Sequence, residues 1–461
     1  MIEKLLSNTE KQKDIKTLLE ITKRRVDWQK NHTPWNIIEP MTDRNWYKED
    51  FCYLVLFAPE FVTKLIEYGV DAKKITLISD SEFESRVTKK LYDINAIVFK
   101  QESLDDNIVP LYRPLGRGKR RKDDDVTKSD GFQFSPEFKN KIGAAMPKSK
   151  KLIILGNPPY QKMTTNGTRE GDVQSVPIYN KFIDSSIRLN PRYLSMIIPS
   201  RWMQGGRGLS DFRKRMMADK RIRSIRHFPG QSEVFKNVSI KGGVNYFLWD
   251  REHNGLCNFN GFHQDLNKYD IIVTDTKAFS ILDKLDLTHN MSSIVLSSRP
   301  FGTRANFSKW TEGGIKCYSK LRKVNPIGPE DFTDKFSILN KWKVCIAEAG
   351  DPNSDKMGKY SPYRYVFIVE PNEICTETYI VVNSFDTKEE ADNFITYMET
   401  KTFRYLVHLR AITQHKTREV FAFVPDLGDY SHPWNEKMVC EKMKLSDEEF
   451  AHIDSKIRDW K

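Results

Sequence analysis

Cysteine is scarce in this chain, and the few cysteines are far apart. Only six occur among 461 residues, and no two of them form a Cys-x-x-Cys pair. This spacing argues against a disulfide framework and against a structural zinc site, and it fits the reducing environment of a cytoplasm. The six are Cys52, Cys257, Cys317, Cys345, Cys375 and Cys440.

Long apolar runs are also missing. No stretch approaches the ~18 apolar residues that a membrane-spanning helix needs, and residues 1–6 lack the apolar core of a signal peptide. No histidine, cysteine and acidic residues have the spacing of a metal site. With 39% hydrophobic and 12% aromatic residues, the chain is expected to form two or three globular domains that use no membrane and no metal.

Acidic residues are outnumbered by basic ones. The chain has 74 lysines and arginines against 62 aspartates and glutamates, which gives a net charge of +12 and a pI near 9.1. Phosphate contacts dominate the binding of nucleic acid, so this surplus predicts a basic face for such a partner. The alternative is that the charge serves solubility alone.

The order of predicted elements divides the chain into three parts. Residues 1–30 have apolar positions at helical spacing and are predicted to form an N-terminal helical segment. Over residues 31–255, strands alternate with helices, which predicts an α/β domain with a parallel sheet. Residues 105–150, with a basic run at 117–122 and an acidic run after it, are predicted to be a surface insertion. Residues 256–461 are predicted to form a separate α+β domain, rich in side chains that can bond bases and phosphates.

The most informative segment is an apolar run that ends in two prolines. The run Leu152-Ile-Ile-Leu-Gly156 predicts a strand, and Asn157, Pro158, Pro159 and Tyr160 follow it at once. A strand cannot continue through two prolines, because each lacks an amide hydrogen and fixes φ. The Asn157 carboxamide and the Tyr160 ring are therefore held on a stiff turn at the carboxyl end of a strand, where open α/β sheets bind ligands.

This motif suits methyl transfer to an exocyclic amino or amide nitrogen. The lone pair of such a nitrogen is delocalised, so the nitrogen attacks a methyl group poorly. The Asn157 side-chain oxygen and the Pro158 carbonyl can accept its two hydrogens and return lone-pair density, while Tyr160 can stack on a base. The base must leave the duplex to reach the motif, which implies base flipping. S-adenosylmethionine is the expected methyl donor.

With this motif, the sequence resembles the adenine-N6 DNA methyltransferases of restriction–modification systems, and more narrowly the Eco57I-like methylase domain. Further segments carry the resemblance, among them Leu194-Ser-Met-Ile-Ile-Pro-Ser-Arg-Trp202 and Phe423-Val-Pro425. The resemblance implies a Rossmann-like methyltransferase core that uses S-adenosylmethionine, followed by a C-terminal α+β target-recognition domain. It also implies double-stranded DNA as the substrate, a cognate restriction endonuclease or other restriction–modification subunit as a candidate partner, and the cytoplasm of a bacterium or phage host as the location.

The resemblance further implies where the cofactor binds. Phe57 matches the leading aromatic residue of the family's first motif, but the glycines that usually follow it are missing, and glycine is what lets a backbone approach a ligand closely. Asp80 is expected on the ribose hydroxyls, with a helix N-cap as its alternative role. Glu102 is the candidate for the adenine amino group of the cofactor, and Thr33 and Pro34 are the candidates for its methionine end.

Six residues are predicted to contact DNA. Arg201 and Trp202 follow a strand end and are placed to approach the flipped base or its phosphate; a core position is the alternative for Trp202. Gln414 can bond adenine through two hydrogen bonds, with a solvated loop as the alternative for this segment. The full set is Arg201, Trp202, Lys241, Gln414, His415 and Lys416.

Three functions remain open from the sequence. The first is a site-specific DNA adenine-N6 methyltransferase, which the basic charge and the long C-terminal region favour. The second is a methyltransferase that acts on RNA bases or on a protein glutamine, because both classes also use Asn-Pro-Pro-Tyr. The third is a non-catalytic DNA-binding specificity subunit with a degenerate cofactor site, which the missing glycines suggest.

Overall fold

The chain forms two compact units, one that ends at Ile272 and one that begins at Val273. The computed structural model describes residues 33–43, 45–46, 49–112, 129–147, 151–164, 174–206, 208–230, 233–235, 240, 242–296, 299–350, 358–411 and 415–460. The helix predicted over residues 1–30 and the basic run at 117–122 lie outside these residues.

The first unit is built on one large sheet and two small hairpins. In chain order its strands are β1 (Phe51–Leu56), β2 (Ile75–Ser79), β3 (Asn95–Val98), β4 (Ile108–Tyr112), β5 (Ser129–Phe134), β6 (Lys151–Gly156), β7 (Gln161–Thr164), β8 (Gln174–Pro177), β9 (Tyr193–Pro199), β10 (Ile222–Phe228), β11 (Val244–Asp250), β12 (Cys257–Phe259) and β13 (Phe262–Gln264). Nine of these form the large sheet, in the order β13-β12-β10-β11-β9-β6-β1-β2-β3. The hairpins pair β4 with β5 and β7 with β8.

The pairing in the large sheet is Rossmann-like. Strands β3, β2, β1, β6 and β9 are parallel to one another, and β11 runs antiparallel between β9 and β10. The chain builds outward from β1 in one direction and then returns to add β6 on its other side. The carboxyl ends of β1 and β6 therefore form the topological switch point, which is where such sheets bind ligands. The α/β prediction for this region is confirmed.

Helices cover both faces of the sheet. They are α1 (Trp35–Met41), α2 (Pro59–Glu67), α3 (Glu82–Tyr92), α4 (Leu104–Asn107), α5 (Pro136–Ala145), α6 (Tyr179–Ile187) and α7 (Ser210–Ala218). Apolar residues of α1 and α2 belong to one core, and those of α5, α6 and α7 belong to the other. Local chemistry sets the helix starts: proline at position 59 opens α2, and Ser81 caps α3 by accepting the Glu84 amide at 3.2 Å.

Two predicted boundaries differ from the structure. The flanks of the predicted insertion fold as the β4–β5 hairpin and as α5, whose Phe138 and Ile142 are buried. The predicted domain boundary after residue 255 falls before the observed division at Ile272. The reason is that β12 pairs with β10 and β13 pairs with β12, so this segment extends the first sheet.

The second unit is α+β. Its strands are β14 (Ile315–Tyr318), β15 (Val324–Ile327), β16 (Trp342–Ala347), β17 (Phe367–Val369), β18 (Ile374–Cys375) and β19 (Tyr379–Phe385), and its helices are α8 (Ala278–Leu282), α9 (Lys388–Glu399), α10 (Lys401–His408), α11 (Glu436–Lys442) and α12 (Asp447–Lys456). The strands form two three-stranded sheets, β15-β14-β18 and β17-β16-β19. Thr387 and Ser446 start α9 and α12 with capping boxes. None of the helices in the described part of the chain has the length and hydropathy of a membrane span.

The close approach of β6 to β1 predicts that any side chain at position 156 destabilises the fold. A Cβ atom at Gly156 would lie 2.5 Å from the Leu56 carbonyl oxygen and 2.9 Å from the Leu56 Cβ. We expect Gly156→Ala to lower the free energy of unfolding by about 1–3 kcal/mol, because two paired strands would have to separate. Urea denaturation of the full chain measures this change.

Gly143→Ala is the matched control. Gly143 lies inside α5, and a Cβ there meets no atom of the described residues within 4 Å. Alanine should stabilise that helix by roughly 0.5–1 kcal/mol. Equal effects of the two substitutions would contradict the tight pairing at Gly156.

The burial of His408 predicts that acid lowers the stability of the second unit. Its ring stacks on Tyr360 at 4.2 Å, and burial lowers the pKa of His408 from 6.5 to about 4. The native state therefore binds this proton less readily than the unfolded state. The free energy of unfolding is therefore unaffected by this histidine above about pH 6.5. It falls by up to about 3 kcal/mol as the pH drops from 6.5 towards 4, because the unfolded chain takes up the proton first. His408→Phe should flatten the dependence of unfolding free energy on pH in this window, and a dependence as steep as that of the unsubstituted chain would contradict the role of His408.

Candidate active site at the end of β6

The Asn-Pro-Pro-Tyr segment begins directly after β6, at the topological switch point. The Asn157 amide donates to the Leu56 carbonyl at 3.0 Å, and the Ile178 amide donates to the Tyr160 carbonyl at 3.0 Å. The two prolines between them have no N–H and a fixed φ. The segment is therefore anchored at both ends and stiff in the middle.

The Asn157 side chain contacts the segment that precedes α1. Asn157 is 9% exposed, and its Nδ2 donates to the Thr33 Oγ1 at 3.3 Å. Thr33 is 3% exposed, and its backbone amide donates to the Glu60 Oε1 at 2.7 Å. Two residues that the sequence assigned to different roles thus lie in contact, and Glu60, in the first turn of α2, joins them.

Two tyrosine hydroxyls are buried beside this segment. Burial, followed by the charge of Glu60 and the proximity of Tyr179, raises the pKa of Tyr160 above its ordinary value, so the hydroxyl keeps its proton. Burial also raises the pKa of Tyr179, while the nearby Arg201 opposes the shift. Neither hydroxyl has a hydrogen-bond partner among the described residues. The ring of Tyr160 is half-buried against both cores.

The predicted cofactor residues lie along the same edge of the sheet. Phe57 follows β1 with a φ of 57°, in the left-handed region that glycine favours. Its ring is buried and packs edge-on against Phe99 at 5.7 Å and Phe182 at 5.0 Å. The backbone thus turns at this point as a glycine would allow, while the ring of Phe57 belongs to the core rather than to a pocket.

The other predicted cofactor residues stand at separate strand ends. Asp80 directly follows β2, and the alternative role for it is wrong, because Ser81 is the N-cap of α3. Glu102 is exposed in a short 3-10 turn beyond β3. Pro34 immediately precedes α1 and occupies its N-cap position. The sheet edge therefore carries carboxylates beyond two successive strands.

The predicted DNA contacts have mixed outcomes. Arg201 is exposed in the 3-10 turn after β9, near Tyr179. Trp202 is wholly buried and packs against Phe212 at 5.7 Å, so its predicted contact with DNA is corrected to the core alternative. Lys241 and Gln414 lie outside the described residues.

In the second unit, His415 and Lys416 both contact the residues that follow β16. His415 forms a β-bridge with Ala349, and its Nδ1 lies 2.9 Å from the Glu348 Oε1. Lys416 is 3% exposed, its backbone amide donates to the Glu348 carbonyl at 2.8 Å, and burial lowers the pKa of its side chain. The prediction that Lys416 contacts DNA through its side chain is therefore corrected. The His415 side chain is 67% exposed, and its contact with DNA stays a prediction.

Two residues of the site were not singled out from the sequence. Gly156 allows β6 to approach β1. Its position directly before Asn157 is the sequence feature that could have indicated this role. Glu60 accepts a hydrogen bond from the Thr33 amide. The sequence feature that could have indicated this role is a carboxylate in the first turn of α2, the helix that follows β1.

A family model matches just under half of the chain. Residues 14–235 match the family model of the Eco57I restriction-modification methylase. A protein of Mycoplasma pneumoniae (strain ATCC 29342 / M129 / Subtype 1), described as an uncharacterized adenine-specific methylase, is 33% identical over 127 residues. These residues are 27% of this chain and 30% of the relative, so the match spans less than a third of the relative's length.

Solved structures of restriction–modification proteins are similar at low identity. The type IIL enzyme MmeI in complex with DNA is 8% identical with a TM-score of 0.42, over 91% of this chain and 69% of MmeI. A type I methyltransferase subunit from Streptococcus thermophilus is 14% identical with a TM-score of 0.31, over 55% of this chain and 52% of that subunit. Residues 14–235 are thus similar to the Eco57I restriction-modification methylase family, and the parallel strands of the large sheet and the anchored Asn-Pro-Pro-Tyr segment lie within this range.

Proposed function

We propose that the chain is a site-specific DNA adenine-N6 methyltransferase, which transfers a methyl group from S-adenosylmethionine to an adenine flipped out of double-stranded DNA. The observation that carries the proposal is the Asn-Pro-Pro-Tyr segment, anchored at both ends directly beyond β6. Its family relatives in restriction–modification systems support DNA as the substrate and a restriction endonuclease or other subunit as a candidate partner.

The catalytic residues would be Asn157, Pro158, Pro159 and Tyr160. The Asn157 Oδ1 and the Pro158 carbonyl would accept the two hydrogens of the adenine amino group, which returns lone-pair density to that nitrogen. Tyr160 would stack its half-buried ring on the flipped base. Because burial keeps the Tyr160 hydroxyl protonated, this hydroxyl is not a base; the amino proton leaves to solvent after transfer.

The carboxyl edge of the sheet fits a methyl donor of this kind. When bound, S-adenosylmethionine supplies an activated methyl group on a sulfonium. Asp80 would bond the ribose hydroxyls, Glu102 the adenine amino group, and Thr33 with Pro34 would cover the methionine end. The left-handed turn at Phe57 supports this fit, because it lets the backbone leave β1 sharply without the glycines that relatives use.

The second unit would read the target DNA, and its β14–β15 hairpin is the surface that best supports this role. The tip of the hairpin consists of Lys320, Leu321, Arg322 and Lys323, all exposed. Leu321 is 79% exposed, which is unusual for a large apolar side chain. Three cations around an apolar tip match the chemistry of phosphates that flank a base step.

The hairpin tip is held in one conformation. Leu321 and Arg322 both have a positive φ, near 60°. The Tyr379 hydroxyl accepts the Arg322 amide at 2.8 Å and donates to the Ser319 carbonyl at 2.9 Å. The Arg322 guanidinium lies over the Tyr365 ring at 4.8 Å. Such preorganisation lowers the entropy lost on binding.

The direct test of the proposed function is methyl transfer by the full chain. Label from S-adenosylmethionine should enter unmethylated genomic DNA as N6-methyladenine. Asn157→Ala should reduce this transfer at least about 100-fold, because the variant lacks one acceptor of the amino hydrogens. Label in RNA or in protein, with none in DNA, would assign a different acceptor, and no binding of the cofactor with or without DNA would favour a non-catalytic specificity subunit.

Asn393→Ala is the matched control for this experiment. Asn393 is also a buried asparagine, and its Nδ2 donates to the Tyr430 carbonyl at 2.9 Å in the second unit. Its loss should lower the thermal midpoint but leave the rate of methyl transfer within about twofold. A similar loss of transfer in both variants would show that the assay reports folding.

The hairpin predicts a change in the salt dependence of DNA binding. Replacing both Lys320 and Lys323 with Gln should weaken binding and should lower the slope of log Kd against log salt by about 2, because each lysine that neutralises a phosphate adds about 1 to that slope. Leu321→Ala should weaken binding without changing the slope. Replacing Lys442 and Lys444 with Gln, which removes the same charge from exposed positions on α11 and just after it, should have little effect, and an equal effect would argue against the hairpin.

A further inference from the structure

The orientation of the Asn157 carboxamide decides whether it can act on an amino group. The nitrogen and oxygen of a carboxamide are nearly equal in size, so shape alone does not choose between the two orientations; hydrogen-bond partners must do so. With the oxygen towards the acceptor amine, the carboxamide accepts a hydrogen. With the nitrogen there, two donors would face each other, and the lone pair would gain nothing.

Thr33 holds the nitrogen of this carboxamide. The Asn157 Nδ2 donates to the Thr33 Oγ1 at 3.3 Å, in a contact where both residues are buried. The oxygen therefore points to the opposite edge of the carboxamide. A hydroxyl can both donate and accept, however, so Thr33 alone would bond either orientation of Asn157.

Glu60 makes one orientation of the Thr33 hydroxyl more favourable than the other. Its Oε1 accepts the Thr33 backbone amide at 2.7 Å, so a carboxylate lies beside a threonine that is only 3% exposed. The Glu60 Oε2 is buried, so solvent screens this charge weakly. The charge would favour the orientation of the Thr33 hydroxyl in which the proton is turned to the side of the carboxylate and the lone pairs towards Asn157. The same carboxylate acts on Tyr160, whose pKa it helps to raise.

We propose that Thr33 and Glu60 are positioning residues that fix the orientation of the Asn157 carboxamide, with its nitrogen held by Thr33 and its oxygen directed to the amino group that is methylated. The inference rests on the proposed function and adds to it: Thr33 acts on the acceptor side of the reaction and not only at the methionine end of the cofactor. The β-branched Thr33 side chain has few rotamers, which suits this role.

The test compares three substitutions in the full chain, with the single-turnover rate of methyl transfer and the KM for S-adenosylmethionine as readouts. Thr33→Val keeps the shape but removes the hydroxyl, and should lower the single-turnover rate about tenfold or more. Thr33→Ser keeps the hydroxyl and should stay within about threefold of the unchanged chain. Glu60→Gln can still accept the Thr33 amide but lacks the charge, and should lower the rate with little change in KM.

Thr76→Val is the control for loss of a buried threonine hydroxyl. Thr76 is wholly buried in β2, and its Oγ1 donates to the Ala145 carbonyl at 3.0 Å. This variant should lose stability but keep its single-turnover rate, and thermal midpoints identify any variant that fails to fold.

The outcomes separate this inference from the proposed function. An unchanged single-turnover rate in Thr33→Val, equal losses in the serine and valine variants, or a loss confined to the KM for S-adenosylmethionine would overturn the positioning role. An unsubstituted chain that methylates no DNA would instead overturn the proposed function itself.

Discussion

The pairing of β6 with β1 is the interaction on which the site depends. β1 is buried throughout and β6 is buried from Ile153 onward. The two strands lie side by side in parallel register, from Phe51 opposite Lys151 to Leu56 opposite Gly156. At the last pair, Gly156 has no side chain, which lets the backbone pass the Leu56 carbonyl closely. That carbonyl then accepts the Asn157 amide. The position of the motif is therefore a consequence of strand packing and not of the motif alone.

The rest of the site is assembled on this edge by buried polar contacts. Thr33 and Glu60 come from segments on either side of β1 in the chain. Thr33 contacts the Asn157 side chain, and Glu60 contacts Thr33 and helps to raise the pKa of Tyr160. Desolvation makes each such contact more consequential than it would be in water, because an unpaired buried group costs about 1–3 kcal/mol. The edge thus combines one rigid backbone turn with a short chain of hydrogen bonds that orients a single carboxamide.

Patterns within single elements predicted the fold well. The apolar runs of residues 31–255 predicted strands that alternate with helices, and the strand predicted over Leu152–Gly156 is β6 of the parallel sheet. The predictions that depended on packing between distant elements were less successful. Trp202 is buried in a core that several strands and helices share, and Lys416 is buried beside the distant Glu348. Strands β12 and β13 join the first sheet through partners that their own sequence does not specify.

In the site, too, local sequence predicted some residues, whereas the roles of others depend on distant contacts. Asn157 and Tyr160 were predicted because two prolines after a strand carry a local meaning. Glu60 and Gly156 were missed, because their roles arise from a contact with Thr33 and from the approach of a neighbouring strand. Asp80 was expected either on the cofactor or as an N-cap, and only the structure excludes the second role, since Ser81 caps α3. Local sequence thus indicates the chemistry, while distant contacts decide the geometry.

The central claim is that the end of β6 presents two acceptors to an exocyclic amino group. The most direct measurement is a structure of the full chain bound to its target DNA and a product form of the cofactor. The account predicts an adenine outside the duplex, stacked on Tyr160, with its amino nitrogen about 3 Å from both the Asn157 Oδ1 and the Pro158 carbonyl oxygen. An adenine that stays stacked in the duplex, or an amino group held by other residues, would contradict it.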